Sequence, residues 1–300
     1  MSTFVLAVDH RNSLRGWLRG LGIPDQRLEP SARQLKLICV TALGIARERL
    51  PAGARPMLLL DAEYGVDAIP AAAALGLPIV IPVERSGQPE FLFEHGERFA
   101  EEIERVAPAA VKALVRYNPA GDAELNRRSR ERLVRLQSRL RASGRRFMLE
   151  LLVPATEQQL AAGAERFDEE LRPALAIEAI SQLAAEGLRP DWWKLEGNRD
   201  RDAAAALSRA AADAAQIGCL VLGRGQDRES VLEWVRTAAA AGGFVGFAVG
   251  RTLWTGPFTA LVNGQLDEVE AAARIADAYL EIAAQYTAAQ PATAGSDGDR

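Results

Sequence analysis

Eight short apolar runs recur along the chain, and they constrain its fold more than any other feature. They lie at residues 4–10, 57–64, 78–84, 111–118, 146–154, 191–197, 219–225 and 244–251. A polar or glycine-rich turn follows each run, and most gaps can hold a helix, as parallel βα units require. The runs VLAV, MLLL, IVIP and CLVL are apolar throughout, which is typical of strands buried on both faces. This pattern predicts a single-domain α/β protein, a (β/α)8 TIM barrel.

A doubly wound parallel sheet is the alternative that the same alternation of strands and helices allows. It is disfavoured because the units are regularly spaced and no GxGxxG fingerprint accompanies them. Residues 123–143 carry leucines at helical spacing among arginines and glutamates, and they are predicted to form a helix. The barrel is expected to span residues 1–286. Residues 287–300 lack apolar anchors and are predicted to be a disordered tail.

The charge balance and the scarcity of metal-binding side chains exclude several classes of function. Lys and Arg total 36 against 40 for Asp and Glu, so the net charge of −4 argues against a nucleic-acid partner. The two cysteines, Cys39 and Cys219, lie in apolar stretches, so neither a disulfide framework nor a zinc ribbon is expected. His10 and His95 are the only histidines, which excludes a metal centre with three histidine ligands. We expect no metal and no other cofactor.

The sequence shows no sign of a membrane span or an export signal. Its longest uncharged stretch, residues 68–83, is interrupted by prolines and is shorter than the ~20 residues that a transmembrane helix needs. The N-terminus has no basic leader and reaches an aspartate after one short apolar run. We therefore expect a cytoplasmic protein with no membrane partner, and we expect it to be a homo-oligomer.

Polar side chains at the ends of the apolar runs are the candidates for a functional site, because TIM-barrel sites lie at the carboxyl ends of the strands. These candidates are Asp9, His10, Arg11, Asp61, Glu63, Glu84, Arg85, Lys112, Arg116, Asn118, Glu150, Lys194, Glu196, Gly223, Arg224, Gly225, Gly250 and Arg251. Side chains alternate along a strand, so Lys112 and Arg116 share one face, as do Lys194 and Glu196. If these faces point inward, two lysines and several carboxylates meet in one pocket.

Two lysines and a glutamate inside apolar strands indicate either buried ion pairs or chemistry. A charged lysine is costly to bury, and it must therefore pair, lose its proton or react. Schiff-base catalysis needs a neutral amine that attacks a ketone, and Lys194 in DWWKLEG fits that need. A structural ion pair with Glu196 or Glu150 is the alternative, and the same alternative holds for Lys112. Glu150 in FMLELLVP is expected either to pair with a lysine or to act as a general acid and base.

The turns LGRGQD and AVGRT, after the seventh and eighth runs, could bind a phosphate through their backbone N–H groups. Arg224 and Arg251 favour an anion site there, although glycines in such turns also serve backbone conformation alone. His10 lies beside Asp9 at a strand end, where it could contact substrate or be a satisfied structural histidine. His95 is expected at the surface or at a helix start.

Taken together, several motifs of this chain resemble a known enzyme family. AVDHRNSLRGWL, VKALVRYNP, FMLELLVP, DWWKLEG, CLVLGRGQD and GFAVGRTLW are similar to the class I aldolases that include tagatose-1,6-bisphosphate and sulfofructose-phosphate aldolases. More specifically, they resemble the aldolase module fused behind 5-dehydro-2-deoxygluconokinase in bacterial inositol catabolism. The resemblance covers roughly residues 4–286.

The resemblance implies a role for each matching residue. Lys194 would be the Schiff-base lysine, Lys112 the second lysine, Glu150 the acid/base carboxylate and Asp9 a polar group at the end of the first strand. The phosphate would bind at the glycine turns, and His10, Arg11 and Arg116 would lie near the substrate. The turn residues are Gly223, Arg224, Gly225, Gly250 and Arg251.

This chain departs from the tagatose-type pattern at two positions near the expected substrate. It has Asp-His-Arg where those enzymes tend to have Asp-Gln-Arg, and Arg116-Tyr117 where they tend to have two tyrosines. The resemblance implies cleavage of 2-deoxy-5-keto-D-gluconate 6-phosphate to dihydroxyacetone phosphate and malonate semialdehyde. Aldolases of another ketose phosphate and a non-catalytic sugar-phosphate-binding barrel are the alternatives. A zinc-dependent aldolase is disfavoured, because two histidines cannot supply three nitrogen ligands.

Overall fold

The computed structural model describes residues 1–161 and 163–291. Eight parallel strands hydrogen-bond in chain order from β1 to β8, and β8 pairs with β1 to close the barrel. Helices lie between the strands on the outside. This architecture confirms the predicted single-domain TIM barrel, and the doubly wound sheet is wrong because no open sheet edge exists in the described chain.

The strands and helices have the following bounds. The strands are β1 (Thr3–Ala7), β2 (Arg55–Leu59), β3 (Ile79–Pro82), β4 (Ala110–Arg116), β5 (Arg146–Leu152), β6 (Trp192–Glu196), β7 (Gly218–Leu222) and β8 (Phe244–Val249). The α-helices are α1 (Asn12–Gly20), α2 (Asp25–Arg47), α3 (Ala68–Ala74), α4 (Phe99–Val106), α5 (Ala123–Ala142), α6 (Glu157–Leu160), α7 (Ala164–Arg166), α8 (Arg172–Ala185), α9 (Arg201–Ala212), α10 (Arg228–Ala241), α11 (Arg251–Val262) and α12 (Glu268–Ala289). A 3-10 turn (Gly96–Arg98) precedes α4, and a π-helical turn (Phe167–Leu171) precedes α8.

The alternation of side chains along each strand divides the core into two parts. One set of strand residues packs outward against the helices and forms the large core cluster. The other set fills the barrel interior as a small apolar cluster that includes Ala7, Ala110, Met148 and Trp192. Because side chains repeat with a period of two, the residues two positions further on point inward at the carboxyl ends of these strands.

Aromatic side chains fasten the seam at which β1 meets β8. Phe4 stacks on Phe247 with ring centroids 4.8 Å apart. The hydroxyl groups of Tyr279 and Tyr286 in α12 donate to the carbonyls of Phe4 and Phe244, at 2.9 Å and 2.6 Å. The last helix thus stabilises barrel closure through buried hydrogen bonds as well as apolar contact.

The structure contains the helix predicted at residues 123–143, and it extends the last helix into the predicted C-terminal tail. The predicted helix at residues 123–143 is α5, which Asp122 caps by accepting from the backbone N–H groups of Glu124 and Leu125. Helix α12 continues through Ala289, so the first residues of the predicted tail are helical, and Thr287 donates to the carbonyl of Ala283. Residues 292–300 of that predicted tail lie outside the described residues.

Across the part of the chain that the structure describes, none of the helices combines the length and the apolar character required to cross a bilayer.

Gly246 in β8 leaves no room for a side chain. A Cβ built there would lie 1.7 Å from the carbonyl oxygen of Thr3 in β1, and its φ of +151° disfavours other residues. We expect Gly246→Ala to lower the free energy of unfolding by about 3 kcal/mol, because both the overlap and the backbone strain must be relieved. The measurement is urea unfolding followed by circular dichroism.

The matched control is Gly16→Ala in the exposed middle of α1, where a Cβ would meet nothing within 4 Å. Because alanine favours helix, this variant should gain about 0.5–1 kcal/mol. Equal stability of the two variants would show that the contact between β1 and β8 is loose.

Candidate active site

A cavity of about 440 Å³ opens at the carboxyl ends of the strands. Its lining includes all twelve residues predicted for the site: Asp9, His10, Arg11, Lys112, Arg116, Glu150, Lys194, Gly223, Arg224, Gly225, Gly250 and Arg251. The structure therefore brings these residues together, while the role predicted for each one stays a prediction. Asn118 was also a candidate, but it is not part of the lining, and its amide donates to the carbonyl of Pro154 and to Gln159.

The period of the strands explains why charged groups converge above an apolar floor. Lys112, Glu150 and Lys194 each follow an interior apolar residue by two positions. Strands β5 and β6 pair with Glu150 opposite Lys194. The inward-facing positions thus change from apolar to charged at one level of the barrel.

Glu150 bridges the two lysines. Its Oε1 lies 2.8 Å from Nζ of Lys194 and its Oε2 lies 2.8 Å from Nζ of Lys112. All three side chains are buried. The sequence left open whether Lys194 pairs with Glu196 or with Glu150, and the structure shows Glu150. A carboxylate in this position can exchange protons with either amine.

Three carboxylates surround Lys112. Besides Glu150, its Nζ lies 3.1 Å from Oδ2 of Asp9 and 2.7 Å from Oε1 of Glu84. Burial lowers the pKa of Lys112, but the negative charges of Asp9, Glu150 and Glu84 outweigh burial and raise the pKa above its usual range. Lys112 is therefore a fixed positive charge in the site.

The positive charges of the two lysines lower the pKa values of Asp9 and Glu150. Burial raises the pKa of Asp9, but the charges of Lys112 and Lys194 overcome it and hold the pKa well below its ordinary value. The same balance, with Lys112 first and Lys194 second, lowers the pKa of Glu150. Both carboxyl groups are thus ionised at neutral pH.

Glu84 differs from the other two acids of the cluster. Burial raises its pKa above the ordinary value despite the neighbouring charges of Lys112 and Arg11. Its Oε2 accepts from the backbone N–H of Leu114, and Arg11 donates to its carbonyl oxygen at 2.6 Å. Arg11 also pairs with Glu94 at 2.8 Å. The guanidinium of Arg11 therefore holds the β3 loop against β1 at the cavity wall.

The turns after β7 and β8 meet at the opposite side of the cavity. Arg251 donates from Nη2 to the carbonyl of Arg224 at 2.9 Å. Its guanidinium lies flat against Gly225, where a Cβ would come within 2.2 Å of Cζ. Gly250 is similarly confined, because a Cβ there would lie 2.2 Å from the carbonyl oxygen of Ala7. These glycines let backbone and guanidinium come together, as an anion site requires.

Arg224 is more tied to protein groups than the sequence suggested. Its Nε lies 3.0 Å from Glu196 and its Nη1 3.2 Å from Asp168 in the π-helical turn. Arg172 pairs with the same two acids. The backbone of Arg224 has a φ of +48°, which few residues other than glycine adopt. Its guanidinium therefore holds the turn in place, and Arg251 is the better candidate for direct contact with an anion.

His10 lies between the acidic cluster and these turns. Its Nδ1 is 3.9 Å from Oδ1 of Asp9, and its ring packs edge-on against Trp254 with centroids 5.4 Å apart. Burial, opposed by the charge of Asp9, lowers the pKa of His10 to about 4. His10 is therefore neutral at physiological pH. The other histidine, His95, is exposed and precedes the 3-10 turn, as the sequence predicted.

Two arginines stand on the rim beside β3 and β4. Arg116 donates from Nη1 to the carbonyl of Gln88 at 3.0 Å, and Arg85 lines the same rim. Within residues 1–161 and 163–291, neither of them forms an ion pair with a carboxylate. Arg116 therefore does not neutralise Glu150 or Asp61. This rim carries two positive charges that can face a bound anion.

Sequence reasoning missed a third buried lysine. Lys36 in α2 is fully buried and pairs with Asp61. The signal was available, since only three of the 36 Lys and Arg residues are lysines: Lys36, Lys112 and Lys194. All three are buried at or beside this site. In a chain that otherwise uses arginine, each lysine marks a position that needs an ammonium group.

The donors of the site do not form a metal centre. In the described ranges, no group of three or more His, Cys, Asp or Glu side chains could hold a metal ion. The three carboxylates that approach one another have the ammonium of Lys112 between them. The site has the charge pattern of acid and base chemistry around lysine amines.

An aldolase from Streptococcus mutans is similar to this protein along most of the chain. Tagatose 1,6-diphosphate aldolase 1 of Streptococcus mutans is 26% identical over 286 residues, which cover 87% of this chain and 83% of that protein. This similarity supports an aldolase, a carbon–carbon lyase, as the enzyme class. The predicted relation to the inositol-catabolism module stays a prediction.

Solved structures with the same barrel include fructose-bisphosphate aldolases. The enzyme from Plasmodium falciparum is 14% identical with a TM-score of 0.66, and the match covers 94% of this chain and 90% of that one. An archaeal fructose 1,6-bisphosphate aldolase is 15% identical with a TM-score of 0.57, covering 93% and 94%. At these identities the likeness shows the shared fold.

A family model matches nearly all of the described barrel. The match spans residues 1–290, from the first strand through the last helix. The chain therefore belongs to the family described as "Uncharacterized protein conserved in bacteria (DUF2090)".

Proposed function

We propose that this protein is a class I aldolase that cleaves a ketose phosphate through a Schiff base on Lys194. The observation that carries the proposal is the buried chain Lys194–Glu150–Lys112, in which one carboxylate lies 2.8 Å from both amines. A lysine that must become neutral to attack a ketone needs a proton acceptor beside it. Glu150 fills that role, and Lys112 compensates its charge.

The reaction follows from this geometry. Glu150 takes a proton from the ammonium of Lys194, and the free amine attacks the ketone carbon of the substrate. The carbinolamine loses water and becomes a protonated imine. A carboxylate of the cluster then removes the hydroxyl proton from the carbon β to the imine. The bond between the α and β carbons breaks, its electron pair forms an enamine, and an aldehyde leaves. Protonation of the enamine and hydrolysis release the ketone product and return Lys194.

In this proposal, the phosphate of the substrate binds at the turns that follow β7 and β8. Gly223, Gly225, Gly250 and Arg251 line this side of the cavity, and the backbone N–H groups of such glycine turns can bind a phosphate. A phosphate bound there would hold the phosphorylated half of a ketose next to Lys194 in the neighbouring strand β6. That half would stay as the enamine, which corresponds to dihydroxyacetone phosphate.

The finer proposal concerns the half that leaves. Arg116 and Arg85 on the opposite rim have no carboxylate partner among the described residues, so they favour a substrate that is anionic at both ends. We propose 2-deoxy-5-keto-D-gluconate 6-phosphate, cleaved between C3 and C4 to dihydroxyacetone phosphate and malonate semialdehyde. Its carboxylate would face Arg116. Tagatose 1,6-bisphosphate, favoured by the name of the Streptococcus mutans relative, is the second candidate.

Borohydride trapping tests the covalent step. We expect reduction with sodium borohydride in the presence of a keto-sugar phosphate to add a stable mass to the peptide that contains Lys194, because the imine is reduced to an amine. Peptide mass spectrometry locates the adduct among only three lysines. Lys194→Met is the control and should give no adduct. An adduct on Lys112 alone, or none with any keto-sugar phosphate, would contradict the proposal and favour a non-catalytic binding barrel.

Arg251→Ala tests the phosphate site. A phosphate contact far from the reacting carbon contributes equally to ground-state and transition-state binding, so KM should rise about 10–100-fold while kcat changes little. Steady-state kinetics measure both. The control is Arg199→Ala, an exposed arginine that pairs with Glu233 outside the cavity and should leave both constants unchanged. A large loss of kcat at constant KM would place Arg251 at the reacting carbon instead.

Arg116→Tyr tests the substrate. This change should lower kcat/KM for 2-deoxy-5-keto-D-gluconate 6-phosphate about tenfold more than for a ketose monophosphate that lacks the carboxylate, since a charge-assisted hydrogen bond is lost only with the acid. Competition assays with both substrates give the ratio. Arg98→Tyr, at an exposed arginine, is the control. Equal losses, or a wild-type preference for tagatose 1,6-bisphosphate, would remove this substrate and leave the Schiff-base mechanism standing.

A further inference from the structure

Lys36 is a fully buried charge that the proposed mechanism does not use. It lies in α2, outside the lining of the cavity. Its Nζ pairs with Oδ2 of Asp61 and donates to the carbonyl of Val8, and the carbonyl of His10 lies 3.3 Å away. The group therefore meets three oxygen atoms behind the wall of the site.

The two carbonyls belong to the residues on either side of Asp9, where β1 ends. Val8 also donates from its backbone to the carbonyl of Leu59, which keeps the chain beside β2. Asp61, at the end of β2, is itself fixed because its Oδ1 accepts from the backbone N–H of Tyr64 at 2.8 Å. Lys36 thus joins the ends of β1 and β2 at the level of the charged cluster.

The chemistry of this position fits an ammonium and not a guanidinium. An ammonium has three N–H donors on one atom, and Lys36 faces three acceptors that converge on one point. A planar guanidinium spreads its five donors over a larger fork and would not fit a site without solvent access. This explains why a lysine occurs here in a chain whose other cations are almost all arginines.

We propose that Lys36 is a positioning residue that holds Asp9 and His10 in the active site. The inference rests on the proposed function for its kinetic consequence. By fixing the carbonyls of Val8 and His10, Lys36 sets the direction in which the side chain of Asp9 reaches Lys112, at 3.1 Å, and that of His10 reaches the turn at Gly250. A residue without contact to the substrate would thus control the charge around Lys112.

A purely structural ion pair can be told apart from a positioning one. Replacing both members of a buried pair by apolar residues of similar volume is often neutral for stability, whereas removing one member leaves an unpaired buried charge. The informative variant is therefore the double substitution Lys36→Met/Asp61→Leu. It should fold with a higher Tm than Lys36→Met alone, which leaves the carboxylate of Asp61 buried and unpaired. Both variants should have a lower Tm than the wild type, because the carbonyl of Val8 and, in the double variant, the backbone N–H of Tyr64 lose their partners.

In the double variant we expect kcat to fall while KM stays nearly constant. Loss of an outer contact that orients a functional group typically costs about 10–100-fold in activity, so kcat should fall by that factor. KM for the ketose phosphate should change less than about threefold, because the phosphate turns do not touch Lys36. The matched control is Arg33→Met/Asp67→Leu, which removes a solvent-accessible pair between α2 and the residue before α3 and should retain wild-type kcat.

A second readout does not depend on turnover. The chain has two histidines, so proton NMR titration of the imidazoles reports on His10 with His95 as the internal reference. Burial lowers the pKa of His10 to about 4, and the charges that face it are Asp9, Arg251, Lys36 and Lys194. The double variant removes one charge of each sign. Because loss of the Lys36 charge by itself raises this pKa, the decisive signal is the chemical shift of the neutral His10 ring, which should change when the ring leaves its edge-on contact with Trp254 at 5.4 Å.

The outcomes separate the inference from the proposed function. If the wild type forms no imine on Lys194, the proposed function fails, and the chemical shift of the neutral His10 ring still decides whether Lys36 holds the end of β1. If the wild type forms the imine and the double variant keeps wild-type kcat, the positioning role of Lys36 is overturned. An unchanged chemical shift of the neutral His10 ring in the double variant overturns it as well.

Discussion

The carboxylate of Glu150 between two buried ammonium groups is the interaction on which the site depends. A lone lysine at the level of Lys112 or Lys194 would stand on an apolar floor formed by residues such as Met148 and Trp192. Such a charge is unstable without a partner. Glu150 satisfies both lysines at 2.8 Å, and Asp9 and Glu84 complete the surroundings of Lys112. The charged layer is therefore stable only as a set, and it exists because several strands end at the same height.

The surrounding contacts keep this set in register with the two walls of the cavity. On one side, Arg11 ties the β3 loop to β1, and Lys36 ties the ends of β1 and β2 together from behind. On the other side, Arg224 joins the turn after β7 to Glu196 and the π-helical turn, and it presents its carbonyl to Arg251. On each wall, one cation holds protein segments together: Arg11 on the first wall and Arg224 on the second. A more accessible arginine, Arg116 or Arg251, can then contact a ligand.

Pairing and accessibility were the features that the sequence could not supply. It predicted Lys194 and Lys112 as inward-facing, but it left Glu150 and Glu196 as equal partners for Lys194. It also predicted the same role for Arg224 and Arg251. In the structure, Arg224 forms ion pairs with acidic side chains, whereas Arg251 lies near the cavity mouth. Lys36 was missed because it lies on a helix, where an inward-facing lysine has no local signature and its partners are 25 to 28 residues away.

The sequence by itself determined the barrel and the position of the site. Eight short apolar runs separated by helical gaps allow few other folds, and parallel strands that close in order place the polar residue after each run at one end. The tertiary structure decided which charges meet. The distances among Asp9, Lys112, Glu150 and Lys194 depend on the stagger between neighbouring strands and on the space left by each side chain. These quantities are set by packing across the whole barrel, and no local pattern in the chain encodes them.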